Sequence, residues 1–356
     1  MEATLGPLLP LYERERAGGR ALALGVLLRT EGSTYRKPGA LILIAGDGQY
    51  AGLISGGCLE SDLREHARAV IASGTARNVR YDARTEDDLV FGLGLGCEGA
   101  MDILLLQTGP TNGWQPLAHL AAALAAHRET AVGLVVDSSH PEVPVGAVAL
   151  PEDEPGGAAV AWPLAASPLA ASPLRVQLRR AAVHGETAWV EQSGWKLFVL
   201  PLDLPPRILL LGAGPDAVPV AALAARLSWK VTVADHRAAY ADANRFPGAD
   251  RVLLVRPEAL PQLLELHGFA AAIVMSHHLL SDLAYLRALA PGTIPYVGLL
   301  GPAVRRERLL SELGAQAALL QGRLHAPVGL ALGGRSPESI ALAIVAQLHA
   351  FLHGVL

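Results

Sequence analysis

The residues best suited to chemistry lie in two glycine-rich turns, and each turn carries one of the chain's two cysteines. The first turn is Ile54-Ser55-Gly56-Gly57-Cys58-Leu59-Glu60, and the second is Gly92-Leu-Gly-Leu-Gly-Cys97-Glu-Gly99. Neighbouring glycines let backbone N–H groups turn outward and approach a ligand closely. The two turns are therefore candidate ligand-binding elements with a thiol in each.

Cys58 stands directly before a predicted helix. Apolar residues recur on one helical face after it, at Leu59, Leu63, Ala67, Val70 and Ile71. The positive end of a helix dipole favours a thiolate, whereas Glu60 and Asp62 in the first turn oppose that effect. From the residues alone, Cys58 is either a reactive thiol or a small buried cysteine beside a turn.

The two cysteines do not form a metal site by their spacing. The chain has no CxxC pair, and no histidine stands at ligand spacing to either cysteine, so a zinc site is not expected. Two cysteines in 356 residues also argue against a disulfide scaffold and favour a reducing cytoplasm.

The totals limit the class of protein. A chain of 356 residues predicts two domains, and a hydrophobic content of 51% is ample for packed cores. A net charge of −4 gives no electrostatic reason to expect nucleic-acid binding. The first residues carry Glu13 and Glu15 before any long apolar run, so neither a signal peptide nor a membrane span is predicted.

One predicted hairpin flanks the first cysteine turn. The pattern predicts a helix over 7–17, strands over 21–29 and 40–45, and a strand over 50–54 that runs straight into the turn. The loop over 30–39 carries Arg36 and Lys37 and flanks the same hairpin, so these cations and Cys58 are expected to face one space. Alone, the basic pair would be interpreted as part of a solvated loop.

The rest of the first half is predicted as an α+β domain over 1–203. Strands are predicted over 77–82, 101–107 and 131–136, with a helix over 117–127 and a hairpin of 187–191 with 195–200. A short internal duplication within about 155–174 is interpreted as a low-complexity loop. The proline-rich stretch Pro201–Pro206 is expected to be a stiff boundary between domains.

The second half, 204–356, alternates strand and helix, which predicts a Rossmann-like parallel sheet. Strand 208–211 leads to Gly212-Ala-Gly214, a helix and then a strand that ends at Asp235, which is the order of a dinucleotide site. Asp216 at the anion position and Pro219 early in the helix oppose nucleotide binding. His277 follows a further strand of this sheet and is either functional or a helix cap.

Taken together, these stretches resemble the XdhC/CoxI family, the maturation factors of xanthine dehydrogenase and related molybdenum hydroxylases. The motifs of the resemblance are Glu31–Ala40 (EGSTYRKPGA), Gly52–Glu60 (GLISGGCLE), Gly92–Gly99 (GLGLGCEG), Gly212–Gly214, Asp235–Arg237, Arg245–Asp250, Val274–His277 with Asp282, Tyr296–Gly301, His325–Leu330 and Gly333–Ala341. Departures cluster in the second half, where Pro215, Asp216 and Pro302-Ala-Val304 replace the family's usual residues.

The resemblance implies a chaperone that binds molybdenum cofactor in its molybdopterin form, protects it, supports its sulfuration with a cysteine desulfurase and inserts it into a xanthine dehydrogenase-type apo-hydroxylase. It implies that the thiols Cys58 and Cys97 handle sulfur, with molybdenum ligation by Cys58. A cytoplasmic homodimer is expected, although the sequence leaves the oligomeric state open. The other implied cofactor-binding residues are Ser33, Arg36, Lys37, Ser55, Gly56, Gly57, Glu60, Gly94 and Gly96. The first turn is then better interpreted as a cofactor cradle than as a catalytic nucleophile.

Two rival functions stay open from the sequence. An NAD(P)-dependent oxidoreductase would use the residues of the dinucleotide pattern, which are Gly212, Gly214, Asp235, Arg237 and His277. It would leave the cysteine turns without a role, and no convincing acid–base pair accompanies the pattern. The other rival is an interaction scaffold without a small ligand.

Overall fold

A computed structural model describes residues 5–57, 59–82, 99–140, 142–151, 172–192 and 194–356. The chain forms two compact units, one over 3–204 and the other over 205–356 together with the first two residues. The mixed α/β class predicted from the sequence is confirmed, with an antiparallel N-terminal unit and a parallel C-terminal unit.

The N-terminal unit contains two antiparallel sheets. Its strands are β1 Leu22–Gly32, β2 Leu41–Ala45, β3 Tyr50–Gly52, β4 Arg77–Asp82, β5 Gly99–Thr108, β6 Ala131–Ser138, β7 Val148–Ala149, β8 Ala188–Gln192 and β9 Trp195–Pro201. Its α-helices are α1 Leu9–Ala17, α2 Glu60–Ser73, α3 Leu117–Ala125 and α4 Ser172–His184. The five-stranded sheet has the order β3-β2-β1-β5-β4, and the four-stranded sheet has the order β7-β6-β9-β8.

Helix α2 lies on one face of the five-stranded sheet, as its apolar spacing predicts. Leu59, Leu63, Ala67 and Val70 are buried in one core cluster with strand residues such as Ile103. The opposite face packs against the four-stranded sheet in a second core, and α4 covers the other side of that second sheet. The strands are apolar on both faces because both faces are covered.

Some element boundaries differ from those predicted. Strand β1 continues to Gly32, past the predicted start of the loop, because its last residues pair with the beginning of β5. Strand β3 ends at Gly52 rather than at Ile54. Helix α4 begins at Ser172, so the end of the predicted low-complexity loop is helical, while 152–171 lie outside the described residues.

The C-terminal unit contains one parallel sheet. Its strands are β10 Arg207–Leu211, β11 Lys230–Asp235, β12 Arg251–Leu254, β13 Ala271–Val274, β14 Tyr296–Leu299 and β15 Leu324–His325. Its α-helices are α5 Ala217–Arg226, α6 Leu260–Leu263, α7 Leu279–Leu289, α8 Ala303–Leu313 and α9 Pro337–Leu352. The strand order β12-β11-β10-β13-β14-β15, with every pair parallel, is the doubly wound Rossmann order.

Helices cover both faces of this parallel sheet. Helices α5 and α9 contribute to the core on one face, and α7 and α8 contribute to the core on the other. The strand order reverses between β10 and β13, and ligands of such sheets bind at the carboxyl ends of the strands beside this point. Across the ranges that the structure describes, no helix combines the length and apolar character needed to cross a membrane.

Candidate functional site

Three connections of the N-terminal unit meet at one end of its five-stranded sheet. Gly32 at the end of β1 pairs with Gly99 at the start of β5, and Asp82 at the end of β4 pairs with Ala100. Gly52 at the end of β3 pairs with Ile42, near the start of β2. Antiparallel pairing therefore brings the 33–40 loop, the 53–59 turn and both ends of the 83–98 connection to the same end of the sheet.

The first cysteine turn is closed by a buried side-chain network. The Ser55 hydroxyl donates to Glu60 Oε2 at 2.6 Å, and the Ser55 backbone N–H donates to Glu60 Oε1 at 3.1 Å. The same hydroxyl accepts from the N–H groups of Gly57 at 3.3 Å and Leu59 at 3.2 Å. Ser55 and Glu60 are each only 2% exposed. These two predicted site residues thus hold the turn in shape from inside the protein.

The two glycines of this turn face outward. Gly56 and Gly57 are exposed, and a Cβ added at either position would meet no atom of a described residue within 4 Å. Gly57 has a φ of +107°, a backbone conformation that residues other than glycine rarely adopt. The turn therefore presents bare backbone to open space above a fixed hydrogen-bonded base.

The neighbouring loop carries the predicted cations. Ser33 and Lys37 are exposed and Arg36 is half-buried. The Thr34 hydroxyl donates to the Arg36 carbonyl at 3.0 Å, which braces the loop. A Cβ added at Gly99 would lie 2.5 Å from the Ser33 carbonyl oxygen, so the chain that follows the second cysteine turn packs directly against this loop.

Four predicted site residues, Cys58, Gly94, Gly96 and Cys97, lie outside the described residues. Their assignments to sulfur handling, molybdenum ligation and cofactor binding stay predictions. Within the part of the chain that the structure describes, no group of three or more His, Cys, Asp or Glu side chains is arranged to hold a metal ion.

The glycine turn of the C-terminal unit serves close packing of the chain. A Cβ added at Gly212 would lie 2.5 Å from the backbone N of Ser276, so only glycine fits where β10 and β13 end side by side. Gly214 lies nearby, and a Cβ there would be 3.8 Å from His277 Cδ2. The predicted nucleotide-binding residues Gly212, Gly214 and His277 are therefore close together.

Asp235 has its carboxylate inside the protein. The residue is fully buried, and it accepts from the Ala213 N–H at 2.8 Å and from Arg237 through its N–H, Nε and Nη2 at 2.7–2.9 Å. Burial alone would raise the pKa of Asp235, but the hydrogen bonds from Arg237 and Ala213 outweigh it and hold that pKa below its usual value. The acid predicted to bind a ribose hydroxyl thus binds its own glycine turn and Arg237.

His277 pairs with Asp216 across the mouth of the same turn. The Nε2 atom of His277 lies 2.7 Å from Asp216 Oδ2, and Asp216 is the residue before helix α5. His277 has a φ of +58°, an uncommon backbone conformation for a residue with a side chain. The pair puts a carboxylate where a dinucleotide's phosphates would approach the helix.

A buried network beside His277 was not predicted from the sequence as a unit. Asp282 is fully buried, and its carboxylate accepts from the N–H and hydroxyl of Ser276 and from the guanidinium of Arg305. Arg245 Nη1 donates to the Ala213 carbonyl at 2.9 Å. All these residues are in the motifs quoted above or next to them, but their pairing depends on the fold and has no spacing signal.

The protein thus has two distinct units. The antiparallel unit carries a candidate site built from glycine-rich loops, and in the Rossmann unit the acid at the dinucleotide position is hydrogen-bonded within the protein. The model of the XdhC and CoxI family matches residues 15–82, and that of the XdhC Rossmann domain matches residues 208–348. The chain is 32% identical to a probable xanthine dehydrogenase subunit from Bacillus subtilis (strain 168), over 91% of each chain. The chain belongs to the XdhC and CoxI family.

Two further relatives extend the comparison. The chain is 24% identical to the molybdenum cofactor insertion chaperone PaoD of Escherichia coli (strain K12), over 93% of this chain and 83% of PaoD. It also resembles the crystal structure of a xanthine dehydrogenase from Bacillus halodurans, with a TM-score of 0.76 and 28% identity, over 97% of this chain and 96% of that one.

Proposed function

We propose that this protein binds molybdenum cofactor as cargo and inserts it into an apo-hydroxylase of the xanthine dehydrogenase type. The observation that carries the proposal is the exposed Gly56-Gly57 backbone on its buried Ser55–Glu60 base, in a chain related along most of its length to a named insertion chaperone. The cargo would be held between elements and then released, which suits a site built from loops rather than an enclosed cavity.

The residues fit the chemistry of such a cargo. Molybdopterin carries a phosphate, a flat pterin and a dithiolene that is sensitive to oxidation. Bare backbone at Gly56 and Gly57 suits a phosphate, and Arg36, Lys37 and Ser33 at the same end of the sheet supply charge and a hydroxyl. Ser55 and Glu60 act indirectly, because they hold the turn in shape.

The thiols would contribute sulfur chemistry. A thiolate is a soft ligand that suits molybdenum. It is also the nucleophile that would attack the outer sulfur of a desulfurase persulfide, which forms a persulfide on this cysteine and releases the donor's thiolate. We assign the leading part to Cys58 and a supporting part to Cys97, with Gly94 and Gly96 shaping the second turn. A cysteine desulfurase as sulfur donor and a homodimeric, cytoplasmic form of the chaperone belong to the same proposal.

The test is expression of the full chain in a host that makes the cofactor, followed by molybdenum and pterin analysis of the purified protein. We expect both in stoichiometric amounts with the wild type, and a loss of molybdenum from Cys58→Ala that is greater than the loss from Cys97→Ala. Wild-type protein free of molybdenum and pterin, and unable to take them up on reconstitution, would refute cofactor binding. Full retention and normal hydroxylase activation by the double variant would refute thiol handling alone.

The same preparation separates the two rivals. An NAD(P)-dependent oxidoreductase would be stabilised by NAD(P) in a thermal-shift experiment, and the internal bonding of Asp235 argues against this. A scaffold without a small ligand would bind the apo-hydroxylase equally well with and without pterin. The chaperone instead requires that the cofactor-loaded form activates the hydroxylase and the empty form does not.

A further inference from the structure

A cavity of about 290 Å³ is lined by residues from both sheets of the N-terminal unit. Its floor is apolar and includes Leu28, Val79 and Val136. Trp189, Arg29 and Lys196 also line the cavity. None of these side chains has a part in the proposed cofactor site.

Two separate strands are irregular at this cavity. In β1 the pairing with β5 shifts between Leu27 and Arg29, which leaves Leu28 as an extra residue. In β6 the pairing with β9 shifts between Val135 and Asp137, which leaves Val136 as an extra residue. Bulges re-aim side chains and are frequent beside functional sites. Two bulges from different sheets that supply wall residues to one cavity indicate that its shape is specified.

The chain supports the bulges with a dedicated contact. The Asn78 side chain donates to the Val136 carbonyl at 2.8 Å, so this carbonyl is satisfied although the bulge disturbs its ladder. Asn78 comes from β4 of the other sheet and also lines the cavity. The irregular backbone is therefore held open across the gap between the sheets.

Among the described residues, Arg29 is the cation lining the cavity that forms no ion pair. Arg80 forms ion pairs with Asp102 at 2.9 Å, with Asp82 at 3.3 Å and with Glu31 at 3.6 Å, and Lys196 pairs with Glu191. Arg29 is exposed and lies 4.4 Å from the centroid of the Trp189 ring, and within the described ranges no carboxylate forms an ion pair with it. Lys196 Nζ approaches the same ring at 5.2 Å. An apolar slot lined by an indole and by an arginine that forms no ion pair with a described residue suits a planar organic anion.

We propose that this cavity is a second binding site, for a small aromatic monoanion whose ring lies against Trp189 and Val136 and whose carboxylate pairs with Arg29. The ligand would sit on strand β1, four residues before Ser33 of the candidate cofactor site. This proposal is independent of the cofactor proposal, and either can fail alone.

The test uses para-benzoylbenzoate, an aromatic carboxylate that also photolabels, and its neutral counterpart para-benzoylbenzamide, with the full-length protein. We expect saturable binding of the carboxylate about tenfold tighter than of the amide. Arg29→Met should remove this tenfold preference and leave amide binding unchanged. Arg68→Met, which removes an exposed arginine of α2 that does not line the cavity, should bind like the wild type.

Irradiation of the wild-type complex gives a second measurement that needs no variant to fold. The label should appear in the peptides that contain Leu28 and Trp189. Equal affinity for the acid and the amide, an unchanged preference in Arg29→Met, or a label confined to other peptides would each overturn the proposal.

Discussion

Removal of the Ser55 hydroxyl should loosen the glycine turn that we assign to the cofactor. In Ser55→Ala the Glu60 carboxylate loses the donor at 2.6 Å, and the N–H groups of Gly57 and Leu59 lose their acceptor. Water cannot easily replace these partners, because Ser55 and Glu60 are each 2% exposed and Leu59 is fully buried. Gly57 is exposed and can turn to solvent.

The size of the effect follows from these contacts. A hydrogen bond to a charged group contributes about 1.5–3 kcal/mol, and a buried N–H left without an acceptor costs about 1–3 kcal/mol. Since the turn can relax in part, we expect the free energy of unfolding of the N-terminal unit to fall by about 2–4 kcal/mol. For a unit of this size the fall corresponds to a drop in melting temperature of about 4–16 °C.

Hydrogen exchange followed by mass spectrometry reads the effect locally. A local loss of about 2 kcal/mol speeds exchange about 30-fold, so the peptide over 56–63 should exchange faster in Ser55→Ala than in the wild type. Ser61→Ala is the matched control, because Ser61 is exposed on the same helix and its removal should change stability by less than about 0.5 kcal/mol. Equal exchange in both variants, or full cofactor retention by Ser55→Ala, would refute the supporting role of Ser55.

Three further predictions concern the Gly56-Gly57 turn and the Gly212 turn of the C-terminal unit. Arg237→Ala leaves the buried Asp235 carboxylate without its guanidinium partner and should lower the free energy of unfolding by about 3–5 kcal/mol at pH 7. The pKa of Asp235 is lower in the folded than in the unfolded state, so its ionised carboxylate stabilises the fold above about pH 4, and this contribution is lost as pH falls through the folded-state pKa. The difference in melting temperature between the wild type and Arg237→Ala should therefore become smaller in acid. Gly57→Ala should lower the free energy of unfolding by about 1–3 kcal/mol, because φ at this position is +107°. Gly56→Ala should have the melting temperature of the wild type and weaken only cofactor retention, because Gly56 has no positive φ and no described atom near an added Cβ. Millimolar NAD should leave the melting temperature of the wild type unchanged, and a rise of several degrees would contradict the internal role of Asp235.

Residue periodicity was sufficient to predict the elements that carry the site. The apolar spacing after Cys58 predicted the buried face of α2, and the alternation after Arg207 predicted the Rossmann unit. The two β-bulges and the end of β1 at Gly32 were missed, because pairing register depends on a partner strand many residues away. For the same reason, the sequence suggested that the cationic loop and the cysteine turn share a space but did not identify Ser55 and Glu60 as a closed pair.

The pattern from Gly212 to Asp235 illustrates how one motif can have two physical causes. In a dinucleotide site the glycines admit a pyrophosphate and the acid binds a ribose. Here glycine is required at position 212 because a Cβ would lie 2.5 Å from the backbone of Ser276. The Asp235 carboxylate accepts hydrogen bonds from Ala213 and Arg237. Packing within the unit therefore explains Gly212 and Asp235, although it does not explain Gly214, where an added Cβ would make only an ordinary contact with His277. The motif is thus better evidence for the fold than for a nucleotide.

The opposite holds for the turn before α2. No atom of the described chain lies within 4 Å of a Cβ placed at Gly56 or Gly57, so packing against the described residues does not require glycine there. The Gly57 conformation, with a φ of +107°, is costly for other residues, yet Ser55 and Glu60 maintain it from a buried position. A ligand-binding turn needs exposed backbone N–H groups in a fixed conformation, and the buried network beneath Gly56 and Gly57 provides this. For this reason we propose the functional site in the N-terminal unit, although the Rossmann unit has the more familiar sequence motif.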